Sequence, residues 1–153
     1  MPTKLKLTVE ETEAAREAIK AFDRYLKVSD DVSHDGGMNP DRLAEVATSI
    51  LLEAELNGAK TLREDRQHVT GKSSYDSAEV KAIDVANAEN GGKSAVTLYA
   101  CVDVSRTDVV DAEGKSTLHG DRRTRWPSTY SIWRESGNSP WLVGDLKQDE
   151  SAC

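Results

Sequence analysis

The sequence has 153 residues, a formal net charge of −7 and 37% hydrophobic residues, which suits one acidic domain of ordinary size. A surface of that sign repels phosphate backbones and anionic membranes, so the charge argues against nucleic-acid binding. Apolar runs such as Ile50-Leu51-Leu52 are far shorter than the roughly 20 residues that a membrane-spanning helix needs. We therefore expect no nucleic-acid partner and no direct membrane span.

The chain begins with a helical pattern. Thr8 and Glu11 have the spacing of a capping box, and apolar residues follow them at helical spacing with charges on the opposite face. This pattern predicts a first helix from about Val9 to about Val32. Gly36-Gly37 supplies the left-handed backbone with which helices commonly end.

A second helical region is predicted from Pro40 to Gln67. Asn39 is expected to be its N-cap, with Pro40 in the first turn. Asn57-Gly58 is the expected interruption, so the region is predicted to form either one kinked helix or two helices.

From His68 onward the apolar pattern changes to a period of two, which is typical of strands. The predicted strands are Val69–Tyr75, Val80–Ala88, Ser94–Ser105, Arg122–Trp133 and Trp141–Leu146, with turns at 90–92 and 111–114. Helices followed by four to five antiparallel strands predict an α+β fold, with N-terminal helices packed on a strongly curved sheet. We expect a single domain over residues 1–153, with helices at about 9–67, the sheet at about 68–148 and a C-terminal tail at 149–153.

The two cysteines allow two interpretations. Cys101 lies in the clearest strand and Cys153 is the final residue. A disulfide between them would hold the tail on the sheet, and it would favour an oxidising compartment. The alternative is two unrelated thiols, one buried and one on a frayed tail. We favour the disulfide, because a terminal cysteine without a partner has little structural purpose.

Several segments carry a family resemblance. They are the hairpin opened by Ala100–Ser105, the strand segment Arg125–Tyr130, the closing segment Trp141–Val143 and a cysteine at the C-terminus. With the order of elements, they resemble the superfamily of nuclear transport factor two and ketosteroid isomerase, in particular actinobacterial extracytoplasmic members of unknown function. The resemblance implies a cone-shaped fold. Its enzymes carry ionisable groups inside the cone, its adaptors use the outer sheet face or the rim, and homodimers through the sheet are common.

The sequence lacks the patterns of metal, nucleotide and nucleophile chemistry. His34, His68 and His119 fall in separate predicted elements without a paired spacing, so no metal site is expected. The glycine pairs lack the spacing of a phosphate-binding loop and are interpreted as turns. No cofactor is therefore predicted.

The helix-facing side of the sheet is expected to offer an apolar pocket. Its predicted lining is Tyr25, Leu98, Ala100, Trp126 and Tyr130. No carboxylate can be placed among these side chains, so we favour binding over catalysis and assign no catalytic residue. The alternative is a small lyase or isomerase acting on a hydrophobic substrate. Its candidate acid and base groups are His68, Asp84, Asp103 and Tyr130.

The outer side of the sheet is the candidate interface, with Arg125, Trp133 and Trp141 as its predicted residues. Arg122, Arg123 and Arg125 either dock an anionic partner or protect an edge strand from pairing, and the second interpretation is favoured. Trp133 is expected either to seed a protein interface or to contact the C-terminal tail.

These observations predict a non-enzymatic protein-binding or assembly module whose partner is another protein, with a homodimer through the sheet as one form. The resemblance suggests a cell-envelope, mobile-element or phage-associated system. We expect an extracytoplasmic protein, secreted or anchored to the envelope, whose export signal is absent from this sequence. A cytoplasmic location is the alternative.

Overall fold

The computed structural model describes residues 7–87 and 91–153. Helix α1 spans Val9–His34, a short 3₁₀ helix spans Pro40–Glu45, and helix α2 spans Ser49–Asp65. Six strands follow: β1 (His68–Thr70), β2 (Ser74–Asp84), β3 (Ser94–Asp103), β4 (Asp108–Val110), β5 (Arg125–Arg134) and β6 (Leu142–Gln148). The predicted α+β class, with helices before strands, is confirmed.

The predicted start of α1 is confirmed by its capping box. The Thr8 hydroxyl accepts a hydrogen bond from the Glu11 amide at 3.1 Å, and the Glu11 carboxylate accepts one from the Thr8 amide at 3.0 Å. The helix runs two residues past its predicted end, to His34. A Cβ atom at Gly37 would lie 2.0 Å from the Ala59 carbonyl oxygen, so glycine lets the chain leaving α1 pass close to α2.

The second helical region is interrupted earlier than predicted. Asn39 lies at the N-cap position of the 3₁₀ helix, but its backbone is left-handed and its side chain makes no capping hydrogen bond. The predicted interruption at Asn57-Gly58 lies inside the continuous helix α2. The break lies instead between the 3₁₀ helix and α2, where Ala47 pairs with Val143 of β6. Two backbone hydrogen bonds of 3.0 Å join this segment to β6. Pairing with the sheet edge therefore replaces the helical hydrogen bonds that the apolar spacing predicted.

The main sheet is antiparallel with strand order β2-β3-β5-β6, and β1 pairs with β4 in a separate two-stranded sheet. The predicted strand Val69–Tyr75 is therefore divided between β1 and the start of β2. Strand β2 begins at Ser74, whereas the sequence pattern predicts its start at Val80. The difference arises because bulges after Asp76 and Val80 disrupt the alternation of buried and exposed residues by which a strand is recognised. The predicted strand end at Ala88 and the start of the 90–92 turn lie outside the described residues.

The core lies between α1 and one side of β3 and β5. The alternating side chains of β3 that face the helices, Val96, Leu98 and Ala100, are at most 1% exposed. Phe22 of α1 and Ile132 of β5 are fully buried against them. Burial of this apolar surface is the main force that fixes the helix on the sheet.

Candidate functional site

The predicted pocket residues lie in the closed core. Tyr25, Leu98, Ala100 and Tyr130 are each at most 4% exposed. The ring centroid of Phe22 lies 4.6 Å from that of Tyr130 and 6.4 Å from that of Tyr25. These aromatic rings occupy the space between α1 and the sheet that a ligand pocket would need.

Trp126, the fifth predicted pocket residue, is half-buried and does not join the core cluster. It pairs across the strands with Val102, and the Arg123 guanidinium carbon lies 4.4 Å from its ring centroid. This tryptophan therefore packs beneath an arginine and away from the aromatic cluster.

The Glu55 carboxylate of α2, at the edge of this core, accepts hydrogen bonds from two side chains of α1. The Tyr25 hydroxyl donates to Glu55 of α2 at 2.6 Å, and the Ser29 hydroxyl donates to the other Glu55 oxygen at 2.9 Å. Burial, reinforced by the Glu55 charge, raises the pKa of Tyr25, and burial also raises the pKa of Tyr130. Both phenols are neutral at physiological pH, and the Glu55 contacts hold α2 against α1.

The remaining candidate acid and base groups are distant from one another. His68 and Asp84 are exposed. Asp84 and Asp103 lie at opposite ends of the β2–β3 pair, since Asp84 is opposite Ala95 and Asp103 is opposite Ser74. Within the described ranges the structure therefore does not bring these residues together as an acid–base pair.

An open groove of about 440 Å³ runs between α1 and the start of β2. On its wall the Tyr75 hydroxyl donates to Asp23 at 2.6 Å, and Asp30 accepts from both the amide and the hydroxyl of Ser73. Burial and the Asp23 carboxylate raise the pKa of Tyr75 to about 12. No local pattern indicates these pairs, because their members lie more than forty residues apart.

The outer side of the sheet carries two aromatic side chains. Trp133 lies across Gly144, where a Cβ atom would lie 1.9 Å from the indole ring. The Lys93 ammonium lies 4.8 Å from the Trp133 ring centroid, and the Lys81 ammonium lies 5.6 Å from that of Tyr99. Both rings are half-buried, and the described helices pack on the opposite side of the sheet. This side therefore presents flat aromatic surface bordered by cations.

The C-terminal tail covers one end of this outer side. Cys153 forms a disulfide with Cys101, and the two Cα atoms are 5.9 Å apart. Arg123 donates to the carbonyl oxygens of Asp149, Glu150 and Ser151. The tail is thus held by a covalent bond and by charge-assisted hydrogen bonds.

The predicted arginine cluster is used for internal contacts. Arg125 donates to Asp103 at 3.1 Å, to Asp76 at 2.9 Å and to the Cys153 carbonyl oxygen at 3.1 Å. The hydrogen bonds that Arg125 donates to Asp76 raise the pKa of Arg125, and the hydrogen bonds that Asp103 accepts from Ser105 lower the pKa of Asp103. Arg122 donates to two carbonyl oxygens of the β3–β4 connection. The cluster therefore ties the tail and the hairpin to the sheet.

The three predicted interface residues do not share one surface. Arg125 and Trp133 lie in the outer row of β5. Trp141 is 5% exposed and belongs to the core on the other side of the sheet. The outer surface therefore consists of Trp133, Tyr99 and the polar residues between them, without Trp141.

Two further features concern membranes and metals. Within the described ranges, no helix is long and apolar enough to cross a membrane. Nor do residues 7–87 and 91–153 bring together three or more side chains that could hold a metal ion.

The fold is similar to that of a solved chloroplast protein region. The intermembrane space region of the chloroplast protein ARC6 superposes with a TM-score of 0.63 at 14% sequence identity, covering 90% of this chain and 97% of that chain. The alignment with Aln2 from a Streptomyces species covers 95% of this chain and 96% of that chain at 18% identity. Its TM-score of 0.46 is too low to support a conclusion about the fold. No protein-family model matches the chain, and no curated protein matches its sequence. The likeness to ARC6 concerns the fold alone.

Proposed function

We propose that this chain is a non-enzymatic protein-binding module that receives its partner on the outer side of the four-stranded sheet. The observation that carries the proposal is the packed interior. Phe22, Tyr25 and Tyr130 occupy the space in which an enzyme of this shape would hold a hydrophobic substrate. The outer side has its aromatic rings at the surface.

The chemistry of the outer side suits a protein partner. Tyrosine and tryptophan are enriched at protein interfaces because they bury a large apolar area and keep one polar group for hydrogen bonding. Trp133 and Tyr99 have this character, and Thr97 and Ser131 lie between them on adjacent strands. The two lysines that border the rings favour a partner with carboxylates at matching positions.

We assign the fold to the nuclear transport factor two and ketosteroid isomerase superfamily as part of this proposal. The support is the order of elements, with α1 laid across one side of an antiparallel sheet. A homodimer through the outer side is one form that the protein partner can take. The association with a cell-envelope, mobile-element or phage system rests on the resemblance of sequence segments.

We further propose an extracytoplasmic location. The Cys101–Cys153 disulfide supports it, since such bonds persist in oxidising compartments and are rare where thiols are kept reduced. Thiol titration of protein isolated without reductant tests this point. We expect no free thiol, and two free thiols per chain would contradict an oxidising location.

Photo-cross-linking in the native host tests the docking surface. A photoreactive phenylalanine analogue placed at Thr97, on the outer side, should give a discrete protein product that is lost in Trp133→Ala. The control places the same analogue at Glu53, an exposed position of α2. A product whose mass is twice that of the chain would identify the partner as a second copy. The proposal fails if position 97 gives no product, or if position 53 gives the same one.

A further inference from the structure

A second cavity lies at the opposite end of the fold from the C-terminal tail. Its volume is about 540 Å³, and it separates the first turns of α1 from the ends of β2 and β5. The residues that line it are Val9, Glu10, Glu13, Ala14, Glu17, Val85, Ala86, Ser94, Arg134 and Trp141. The cavity is on the helix side of the sheet and shares no residue with the outer surface proposed above.

Two buried donors on the wall of this cavity have no hydrogen-bond partner. Trp141 is 5% exposed, and its indole Nε1 is buried and unpaired. The Nε atom of Arg134 is also buried and unpaired, and its guanidinium carbon lies 5.2 Å from the Trp141 ring centroid. Buried polar groups are nearly always paired in folded proteins, so two neighbouring orphan donors indicate that an acceptor belongs in this cavity.

Ser94 adds a third donor to the same wall. This residue is 3% exposed, and its hydroxyl oxygen accepts a hydrogen bond from the Ala86 amide at 3.0 Å. That bond uses the oxygen and leaves the hydroxyl hydrogen to donate. A carboxylate, which has two oxygens and accepts several hydrogen bonds, matches a wall that carries an arginine, an indole and a hydroxyl.

The wall formed by α1 has the opposite character. Glu10, Glu13 and Glu17 lie on one face of the helix and line the cavity. Glu13 is bonded to Arg16 at 3.3 Å, and Glu17 to Lys20 at 3.7 Å. Three carboxylates facing one arginine would repel a simple anion. A ligand with an ammonium group beside its carboxylate satisfies both walls.

We propose that this cavity binds a small amino-acid zwitterion, with the carboxylate on the Trp141, Arg134 and Ser94 donors and the ammonium toward the glutamates. Val9, Ala14 and Val85 supply apolar surface for an aliphatic side chain. The ligand class is therefore an α-amino acid with an aliphatic side chain.

Titration of the ¹⁵N-labelled full chain with L-leucine tests the proposal by NMR. The indole N–H signal of Trp141, identified as the one that is missing in Trp141→Phe, should shift and saturate. N-acetyl-L-leucine lacks the ammonium and L-leucinamide lacks the carboxylate. Each should bind about tenfold more weakly, which is the loss expected for one charged contact.

Two variants assign the walls. Arg134→Lys keeps the positive charge but removes the Nε donor, and Glu10→Gln changes an exposed side chain in the first turn of α1 that a folded protein tolerates. Each should weaken leucine about tenfold, while Glu53→Gln on α2 should have no effect. The proposal is overturned if leucine gives no saturable shift at Trp141. It is also overturned if all three compounds bind equally, or if N-acetyl-L-leucine binds as tightly as leucine.

Discussion

The two sides of the β-sheet are held by different forces. On the helix side of β3, the side chains of Val96, Leu98 and Ala100 are buried against α1, and an aromatic cluster fills the remaining space. On the outer side of the same strand, a disulfide holds Cys101, and a hydrogen bond from Arg125 holds Asp103. One strand thus joins a side stabilised by apolar burial to a side stabilised by a covalent bond and by charge.

The difference shows why the two sides suit different tasks. A filled core loses stability when any of its atoms is removed, so it cannot easily open to admit a ligand. The outer side keeps Trp133 and Tyr99 half-buried at the surface, while the tail contacts are confined to one end.

The largest effect is expected for Phe22→Ala on the helix side. Removal of this fully buried ring leaves a cavity between α1 and the sheet, which should lower the free energy of unfolding by about 3–5 kcal/mol. Urea denaturation measures the change. The control is Ile50→Ala, at a side chain that is 69% exposed, for which we expect less than about 0.5 kcal/mol. Equal losses in the two variants would contradict a core centred on Phe22.

Loss of the disulfide should have the next largest effect. Cys153→Ser opens a loop whose ends are 52 residues apart, which should lower the free energy of unfolding by about 3–4 kcal/mol. Urea denaturation of the variant and of the reduced parent should give the same loss. An unchanged midpoint in both would show that the arginine contacts hold the tail without the covalent bond.

A smaller loss is expected for Gly144→Ala on the outer side. The added Cβ atom would lie within 2.5 Å of three Trp133 ring atoms, so the indole must move. We expect a loss of about 1–3 kcal/mol and an altered tryptophan fluorescence spectrum. Gly137→Ala is the matched control, because a Cβ atom there meets no other atom within 4 Å. An unchanged spectrum in Gly144→Ala would mean that Trp133 does not pack on this glycine.

The smallest effect is expected for Tyr75→Phe, which removes the hydrogen bond to Asp23 and should cost about 1 kcal/mol at neutral pH. The pKa of Tyr75 is raised from 10.0 to about 12, so the folded state holds this proton more tightly than the unfolded state. Its contribution is complete below pH 10 and is lost as the pH rises toward 12.

The pH dependence is measured by urea denaturation at a series of alkaline pH values. Tyr25 and Tyr130 also have raised pKa values, so the parent loses stability through several groups in this range. Tyr75→Phe should remove one part of that loss and make the decline less steep. Identical pH profiles for variant and parent would contradict the raised pKa of Tyr75.

Local sequence patterns predicted the elements that depend on local interactions. The capping box at Thr8 and the alternation in β3 require only neighbours along the chain, and both are present in the structure. The break after the 3₁₀ helix was missed because Val46 and Ala47 continue an apolar helical stripe. Their backbone groups nevertheless pair with β6, a contact that no local pattern encodes.

The candidate sites depend on contacts between residues that are far apart in the sequence, so local patterns predict them less well than they predict the helices and strands. The sequence pattern predicts Trp141 at the outer surface, but this residue precedes β6, whose register with β5 shifts between Ser131 and Ile132. Such a shift changes the side of the sheet that a residue faces. The pairing of Tyr25 with Glu55 spans 30 residues and depends on the crossing of two helices. Contacts of this kind appear only once the fold is known.

Hydroxyl-radical footprinting of the oxidised, unliganded protein, read residue by residue with mass spectrometry, tests the division between the two sides most directly. We expect rapid labelling of Trp133 and Tyr99 on the outer side, with Phe22, Tyr25 and Tyr130 protected. Labelling of Phe22 or Tyr130 at the rate of Trp133 would reveal a water-filled pocket between α1 and the sheet and would contradict the filled interior.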